Sequence, residues 1–407
     1  MRIAVRIIQV LVGILFILSG LVKANDPQGL SFKMQEFFEI WNADLAAGSF
    51  FAKNALINFF SFLHDHSLFL SVTMITLEIM AGVALLLGWK KKAILWLLLL
   101  LIVFFTFLTA YAYLSANPDG SPKFTNCGCF GDCLPLEPRT SFLKDLALLG
   151  MILFLLFGQK FIQPVFNKGI RTIILASSLL LSLLMQWYVL TYLPFVDCLP
   201  FKEGAHLPEK MKPPKNSVPS VYETRLRYRN TKTNEVKDMS QDEFNNSKIW
   251  EDKSWKWDTT LTKLVKKGND IPEIQGFSLM GGESFDSTSG NTVKTDSTSI
   301  ILSQSIAILG FGLEGAGDDW IEDLRSLVTV AKRKNIPVYF TSNNTGYFHK
   351  LFENNGIQVP VFSTDFTVIR TAARTNPAFY LLRSGTVDSK YSYRDINKLI
   401  TNIEKSK

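Results

Sequence analysis

Residues 93–114 read AILWLLLLLIVFFTFLTAYAYL, a run without a single charge. A helix needs about 20 such residues to cross the hydrocarbon core of a bilayer, so this is a membrane span. Lys90-Lys91-Lys92 stand directly before it, and another apolar run, 68–88, stands before them. Two spans joined by a tight lysine-filled turn make a transmembrane hairpin. Working outward, further runs occupy 142–161, 172–194 and 3–22. The run 142–161 carries Lys144 and Asp145 near its start. The first begins with Arg2 and Arg6, as a signal peptide would, yet Leu21-Val22-Lys23 stands where a small-residue cleavage motif is expected, so it reads as a retained helix. Five spans result.

Lysine and arginine in short loops mark the cytoplasmic side. Arg2 and Arg6, Lys90 to Lys92, and Lys160, Lys168 and Arg171 all fall on one side of a five-span chain. The expectation is a multi-pass protein of a bacterial inner membrane with a cytoplasmic N-terminus. Residues 25–67, 115–141 and everything after 194 then lie on the periplasmic side. The chain has 407 residues, 47% hydrophobic and 19% charged, which excludes a disordered or collagen-like protein. Its net charge of +7 does not ask for nucleic acid, because the first half names the lipid bilayer as partner. Within 25–67, Phe50, Phe51, Ile57, Phe59, Phe60 and Phe62 predict a helix lying on the membrane surface.

After 194 the composition changes. Residues 207–220 hold four prolines and read as a linker. A hairpin is expected from 222–228 and 235–239, then Trp250, Trp255 and Trp257, which could stack on a ligand but read first as core residues or packing residues against the membrane part, then a short helix over 260–267. From 271 the pattern gives a strand at 305–311, a helix over 318–334 with Ile321, Leu324, Leu327, Val328 and Ala331 inward, and a strand at 337–341. A helix at 347–354, an edge at 359–363, a hairpin of 378–382 with 386–391 and a closing helix over 393–405 follow. This is an α/β domain with a mixed sheet, and 287–303, rich in Ser and Thr, is expected to be a flexible insertion. The expected division is a membrane domain, 1–195, a linker with a small β-containing segment, 196–270, and an α/β domain, 271–407.

The order of the last domain is similar to a thioredoxin fold, with Asn376-Pro377 where that family places a cis-proline. At the place of that family's Cys-x-x-Cys stands Phe311-Gly312-Leu313-Glu314-Gly315-Ala316-Gly317-Asp318, and 271–407 contains no cysteine at all. Dithiol chemistry by this domain alone is excluded, so an interaction module is expected.

All four cysteines fall on the same expected side: Cys127, Cys129 and Cys133 between the third and fourth spans, Cys198 beyond the fifth. Three readings compete. In the first they are redox-active, Cys127 and Cys129 alternating as attacker and resolver, Cys133 and Cys198 forming a second pair. In the second they are structural disulfides of an oxidising compartment. In the third they bind zinc, although their spacing departs from the usual Cys-x2–4-Cys pairs. Redox and structural roles stand level on spacing, with zinc behind.

Leu15-Phe16-Ile17-Leu18-Ser19-Gly20-Leu21-Val22-Lys23 with Asp26-Pro27 resembles the first helix of DoxX-type membrane proteins, and Leu77-Glu78-Ile79-Met80-Ala81-Gly82 their second. Cys127-Gly128-Cys129-Phe130-Gly131-Asp132 resembles the signature loop of the methylamine-utilisation (MauE-type) branch. Leu193-Pro194-Phe195-Val196-Asp197 and the stretch from Asp365 to Pro377 are similar to long DoxX-family proteins of Bacteroidetes with an added domain. The resemblance implies a membrane protein that supports thiol–disulfide chemistry in the maturation of exported proteins, alongside a thioredoxin-like partner. It raises the redox reading of Cys127 and Cys129 above the structural one. Whether methylamine is this chain's business does not follow.

Glu78 lies mid-span, where an isolated charge is expensive and usually functional. With Lys23, Lys144 and Asp145 it is a candidate proton-handling group, a quinone being the candidate electron acceptor; the alternative is snorkelling of Lys23 and Lys144 to the interface, with a hydrogen-bonded Glu78 gluing the bundle. Two rival functions stay open. One is a non-enzymatic scaffold whose α/β domain binds a partner. The other is an accessory subunit of a quinone-linked respiratory complex.

Overall fold

The computed structural model describes residues 1–48, 51–117, 122–124, 128, 131, 133–134, 136–266, 268–286 and 291–405, with the backbone alone at 282–286 and 291–294. Five helices are long and apolar enough to cross a membrane: α1 (Arg2–Ala24), α4 (Ser67–Leu86), α5 (Lys91–Leu114), α6 (Pro138–Phe157) and α7 (Lys168–Thr191). The chain is a membrane protein. Between α1 and α4 lie α2 (Pro27–Ala47) and α3 (Lys53–Asp65).

Small residues let α1 and α4 approach closely. A Cβ added to Gly82 would stand 2.7 Å from the Gly13 carbonyl oxygen, inside contact distance. Val12, Phe16, Ala81, Leu85, Leu98, Ile152 and Leu155 fill the centre between α1, α4, α5 and α6. Helix α7 packs against α4 and leaves Leu181, Leu184 and Trp187 exposed to lipid. The surface helix expected from the phenylalanines is α3, which exposes Phe59 and Phe62; Phe50 lies outside the described residues.

Beyond α7 come α8 (Leu207–Lys210) and a three-stranded antiparallel sheet of order β2-β1-β3, from β1 (Val221–Asn230), β2 (Val236–Ser240) and β3 (Trp255–Lys266), with α9 (Gln241–Ser247) against it. Three expectations are corrected here. Residues 260–266 of the expected helix 260–267 are not helical, because β-branched Thr259, Thr260 and Thr262 pair along β1 and make the end of a strand; 267 lies outside the described residues. Trp250 and Trp257 do not pack on the membrane part; they are 48% and 59% exposed, Trp250 lying against Phe244. Leu207, placed in a linker by its neighbouring prolines, is fully buried in the α/β core with Phe201.

The last part is a seven-stranded sheet of order β10-β9-β6-β7-β8-β4-β5. In chain order its elements are β4 (Met280–Asp286), β5 (Asn291–Asp296), α10 (Thr298–Leu302), β6 (Ala307–Phe311), α11 (Ile321–Arg333), β7 (Val338–Ser342), α12 (Thr345–Asn354), β8 (Val361–Ser363), α13 (Phe366–Ala372), β9 (Ala378–Arg383), β10 (Thr386–Ser392) and α14 (Ile396–Lys405). Within 287–303, expected as a flexible insertion, β5 and α10 are regular elements, and 287–290 lie outside the described residues.

Strand periodicity sorts the core into two layers. Ile308, Phe379 and Leu381 point toward α11, α12 and α14, around buried Trp320 and Phe340. Leu309, Phe311, Tyr380 and Leu382 point the other way, toward α8, α10, α13 and Phe201. Strands β6, β7 and β8 are parallel, and β9 and β10 return antiparallel. The unit β6-α11-β7 followed by β9-β10-α14, with a cis Asn376-Pro377 bond ahead of β9, is the thioredoxin arrangement.

Candidate functional site: a cleft over the cysteine loop

The Asn126-to-Cys133 loop is pinned on both flanks. On one side Phe124, 1% exposed, stacks on Phe37 of α2 at 4.3 Å between ring centres. Lys123 holds Asp44 at 2.6 Å, and the Tyr111 hydroxyl donates to the same carboxylate at 2.5 Å. On the other side Cys133 is disulfide-bonded to Cys198, 65 positions later and just past α7. Cys127 and Cys129 lie outside the described residues. Gly128 between them is described: its φ is +69°, and an added Cβ would stand 2.8 Å from Cγ of Lys33. Gly131 approaches the Val22 carbonyl at the end of α1, one residue from Lys23. Gly128 thus lies beside α2 and Gly131 near the end of α1.

The α/β domain docks beside this loop through α13. Arg374 Nε donates to Asp26 at 2.7 Å, and Asp26 also accepts from the Gly29 amide at the start of α2. Asn25 bridges both backbone groups of Val196, at 2.8 and 3.1 Å. Lys390 pairs with Asp197 at 2.6 Å. Helix α2, the loop and α13 enclose a cleft of about 540 Å³, lined by Phe32, Lys33, Glu36, Gly128, Arg370 and Arg374 among others. That volume suits a small ligand or a short extended segment.

Beneath the loop lies a second polar group, inside the membrane. Lys23 donates to both oxygens of Glu78, at 2.6 and 2.8 Å, and to Ser19 at 3.0 Å. It sits 4.7 Å above the Phe105 ring. Snorkelling of Lys23, the simple expectation, does not occur: it is 3% exposed and turned inward to Glu78, 2% exposed. Asp145, 1% exposed, accepts from Thr109 at 3.0 Å and pairs with Lys144 at 2.7 Å. Lys23, Glu78, Lys144 and Asp145 line one cavity of about 40 Å³. A dry cavity that admits benzene is on the order of 150 Å³, so this one suits water and not a quinone ring, and no step is assigned to a quinone here. Among the described residues no cluster of His, Cys, Asp and Glu is arranged to hold a metal.

The structure joins Cys133 to Cys198 and Glu78 to Lys23, and it puts Gly128 of the cysteine loop on the cleft. Sequence reasoning did not find Lys33, Thr109 or Arg370. They are ordinary residues of ordinary helices, with no spacing signal. Arg374 and Asp26 sat in stretches that carried the family resemblance, without any sign that they meet.

The architecture defines a class: a five-helix membrane protein carrying a thioredoxin-like α/β domain. Residues 1–158, through the fourth span, match the family model described as "Methylamine utilisation protein MauE". Among solved structures, 32% of this chain is similar to 90% of a thiol:disulfide interchange protein from Bacteroides sp., at 13% identity and a TM-score of 0.24. A mitochondrial 2-Cys peroxiredoxin from Plasmodium falciparum matches 32% of this chain over 89% of its own, at 12% identity and a TM-score of 0.23. A putative thioredoxin from Neisseria meningitidis matches 31% over 90% of its own, at 15% identity and a TM-score of 0.22. At such scores the fold reading rests on strand order. No curated protein matches the chain.

Proposed function

We propose that this protein carries out thiol–disulfide exchange at the non-cytoplasmic face of a bacterial inner membrane, assisting maturation of exported proteins. The N-terminus and the Lys90 to Lys92 turn are cytoplasmic in this reading, with 1–195 the membrane unit, 271–407 the client-facing domain, and 196–270 a connector whose Phe201 and Leu207 pack into that domain. Cys127 and Cys129 are the reacting pair. A thiolate attacks a substrate disulfide, a mixed disulfide forms, and the second cysteine resolves it, so that dithiol and disulfide trade places with no net electrons gained. The Cys133–Cys198 disulfide, with Cys133 exposed, is the second pair or the brace of the first. The two protons of the oxidised dithiol go to the two thiols formed from the substrate disulfide, and Glu78, ion-paired with Lys23 next to Val22, is the proposed group that holds one of them in transit.

One observation carries this reading: the residue between the two cysteines lines a cleft whose walls hold Lys33, Arg370 and Arg374. Cations beside a thiol favour its thiolate, the form that attacks. The test is a redox titration of the membrane-embedded protein, with trapping of Cys127 and Cys129. Both are expected to change state within the periplasmic range. The reading fails if they stay locked in one state and Cys127→Ser with Cys129→Ser leaves the thiol–disulfide state of client proteins unchanged.

A scaffold role is the second reading. In the α/β domain the Asn376 side chain donates to the Leu313 carbonyl at 2.9 Å and accepts its amide at 2.8 Å, closing the place where thiols would sit in a redox thioredoxin. Under that reading, cysteine replacements lower stability only, and deleting 271–407 abolishes partner capture.

A further inference from the structure

We infer that the cleft between α2 and α13 seats a carboxylate-bearing thiol or disulfide, anchored by Arg370. The inference rests on the exchange reading above and names its substrate class. The cleft holds Lys33, Glu36, Glu39, Arg370 and Arg374 as its charged groups. Four of these are already answered. Lys33 pairs with Glu36 at 2.5 Å, Glu39 is hydrogen-bonded to His64 at 3.1 Å, and Arg374 pairs with Asp26 at 2.7 Å.

Arg370 differs. It has no ion-pair partner among the described residues, and its Nε is buried without a hydrogen-bond partner. Its guanidinium is clasped between the rings of Phe32 and Phe366, at 4.4 and 4.6 Å. The clasp holds the planar fork in one orientation, which favours bidentate recognition of a carboxylate. Burial lowers the pKa of Arg370 from the ordinary guanidinium value, against the opposing pull of Glu39 and then Glu36 across the cleft, so part of its desolvation cost stays for an incoming anion to offset. Gly128, the residue between Cys127 and Cys129, lines the same cleft, which is the reason the anchored carboxylate is assigned to a thiol or disulfide.

The step balances. A cysteine thiolate of the loop attacks one sulfur of the substrate disulfide. That S–S bond breaks, a new one forms to the enzyme sulfur, and the other half leaves as a thiolate and takes a proton from water. The carboxylate has two plausible sources, a small thiol acid or an acidic residue beside a client cysteine.

The experiment uses the full-length reduced protein in nanodiscs. Exchange is timed with dithiodipropionate (dianionic), hydroxyethyl disulfide (neutral) and cystamine (dicationic), and with disulfide-linked peptides whose residue beside cysteine is Glu or Gln. Binding of suberate, the unreactive carbon analogue of dithiodipropionate, is measured by calorimetry. The dianion should outrun the neutral disulfide by about tenfold, the worth of one charge-assisted contact. Arg370→Gln should erase that ratio and suberate binding together, and Arg370→Lys should restore part of both. A preference for the Glu peptide but not the small dianion assigns the site to client protein; the reverse assigns it to a small thiol. Ratios near one for both the dianion and the Glu peptide in the unmodified protein, or a preference untouched by Arg370→Gln, overturn the inference while exchange itself stands. Suberate binding that depends on Arg370, without exchange of any disulfide, instead removes the exchange reading and keeps the carboxylate site.

Discussion

Arg374 and Asp26 are 348 positions apart in sequence and 2.7 Å apart in the fold, and this contact joins the α/β domain to the membrane helices. Both side chains are largely buried, at 5% and 13% exposure. Arg374 also donates to the Arg370 carbonyl, so the pair fixes the helix that carries the cleft's unanswered cation.

Arg374→Met should therefore loosen the docking. Removing one partner of a buried pair costs roughly 3–5 kcal/mol, because the other charge is left without compensation. Hydrogen exchange should quicken across 366–376 and at the start of α2. The double change with Asp26→Asn should do less harm than Arg374→Met alone.

Lys23 and Glu78 form a pair of the same kind inside the bilayer. Glu78→Leu should lower the thermal stability of the protein in nanodiscs by roughly 3–5 kcal/mol, with Lys23→Met restoring much of the loss when combined with it. A stable double variant that no longer exchanges disulfides would mark proton handling as the pair's task. Unchanged exchange would leave it a structural one.

Gly128→Ala should strain the loop twice. A positive φ of +69° disfavours any residue with a Cβ, and that Cβ would meet Lys33. The backbone part alone costs about 1–2 kcal/mol. The expected result is slower alkylation or exchange at Cys127 and Cys129 with helix content unchanged by circular dichroism.

The clasp of Asp44 with Lys123 and Tyr111 should be acid-sensitive. The hydrogen bond from Lys123, then that from Tyr111, holds the Asp44 carboxyl below the ordinary carboxylate range. The folded-state value is thus depressed, so the stabilisation is whole above the unfolded pKa of about 4 and is lost as pH falls through the folded value. Asp44 is about half exposed, and such pairs contribute about 0.2–1 kcal/mol. A spin label at Ala116 should gain mobility below about pH 4, and in Asp44→Asn its mobility should be high and flat with pH.

Membrane spans were readable because a bilayer demands long charge-free runs, and the run at 93–114 meets that demand without reference to anything distant. The helix of Ile321, Leu324 and Leu327 and the strand 378–382 were readable for the same reason, since period and burial are local properties of the chain. Residues 260–267 misled because apolar spacing in a short segment fits helix and strand alike, and only pairing with β1 chose between them. The tryptophans at 250 and 257 misled because large apolar residues on a small sheet do not always find a core.

Length and periodicity sufficed to state a five-helix membrane protein with an α/β domain, and the gathering of cysteines between and beyond the last spans was enough to propose thiol chemistry for one loop. The partners of its charges were settled by packing alone: Lys23 turned toward Glu78, Arg374 reached Asp26, and Arg370 was left clasped by two rings beside Gly128. A charge acts over a few ångströms, whereas a sequence records only order along the chain, so such pairings exist only once the folded helices bring distant residues together.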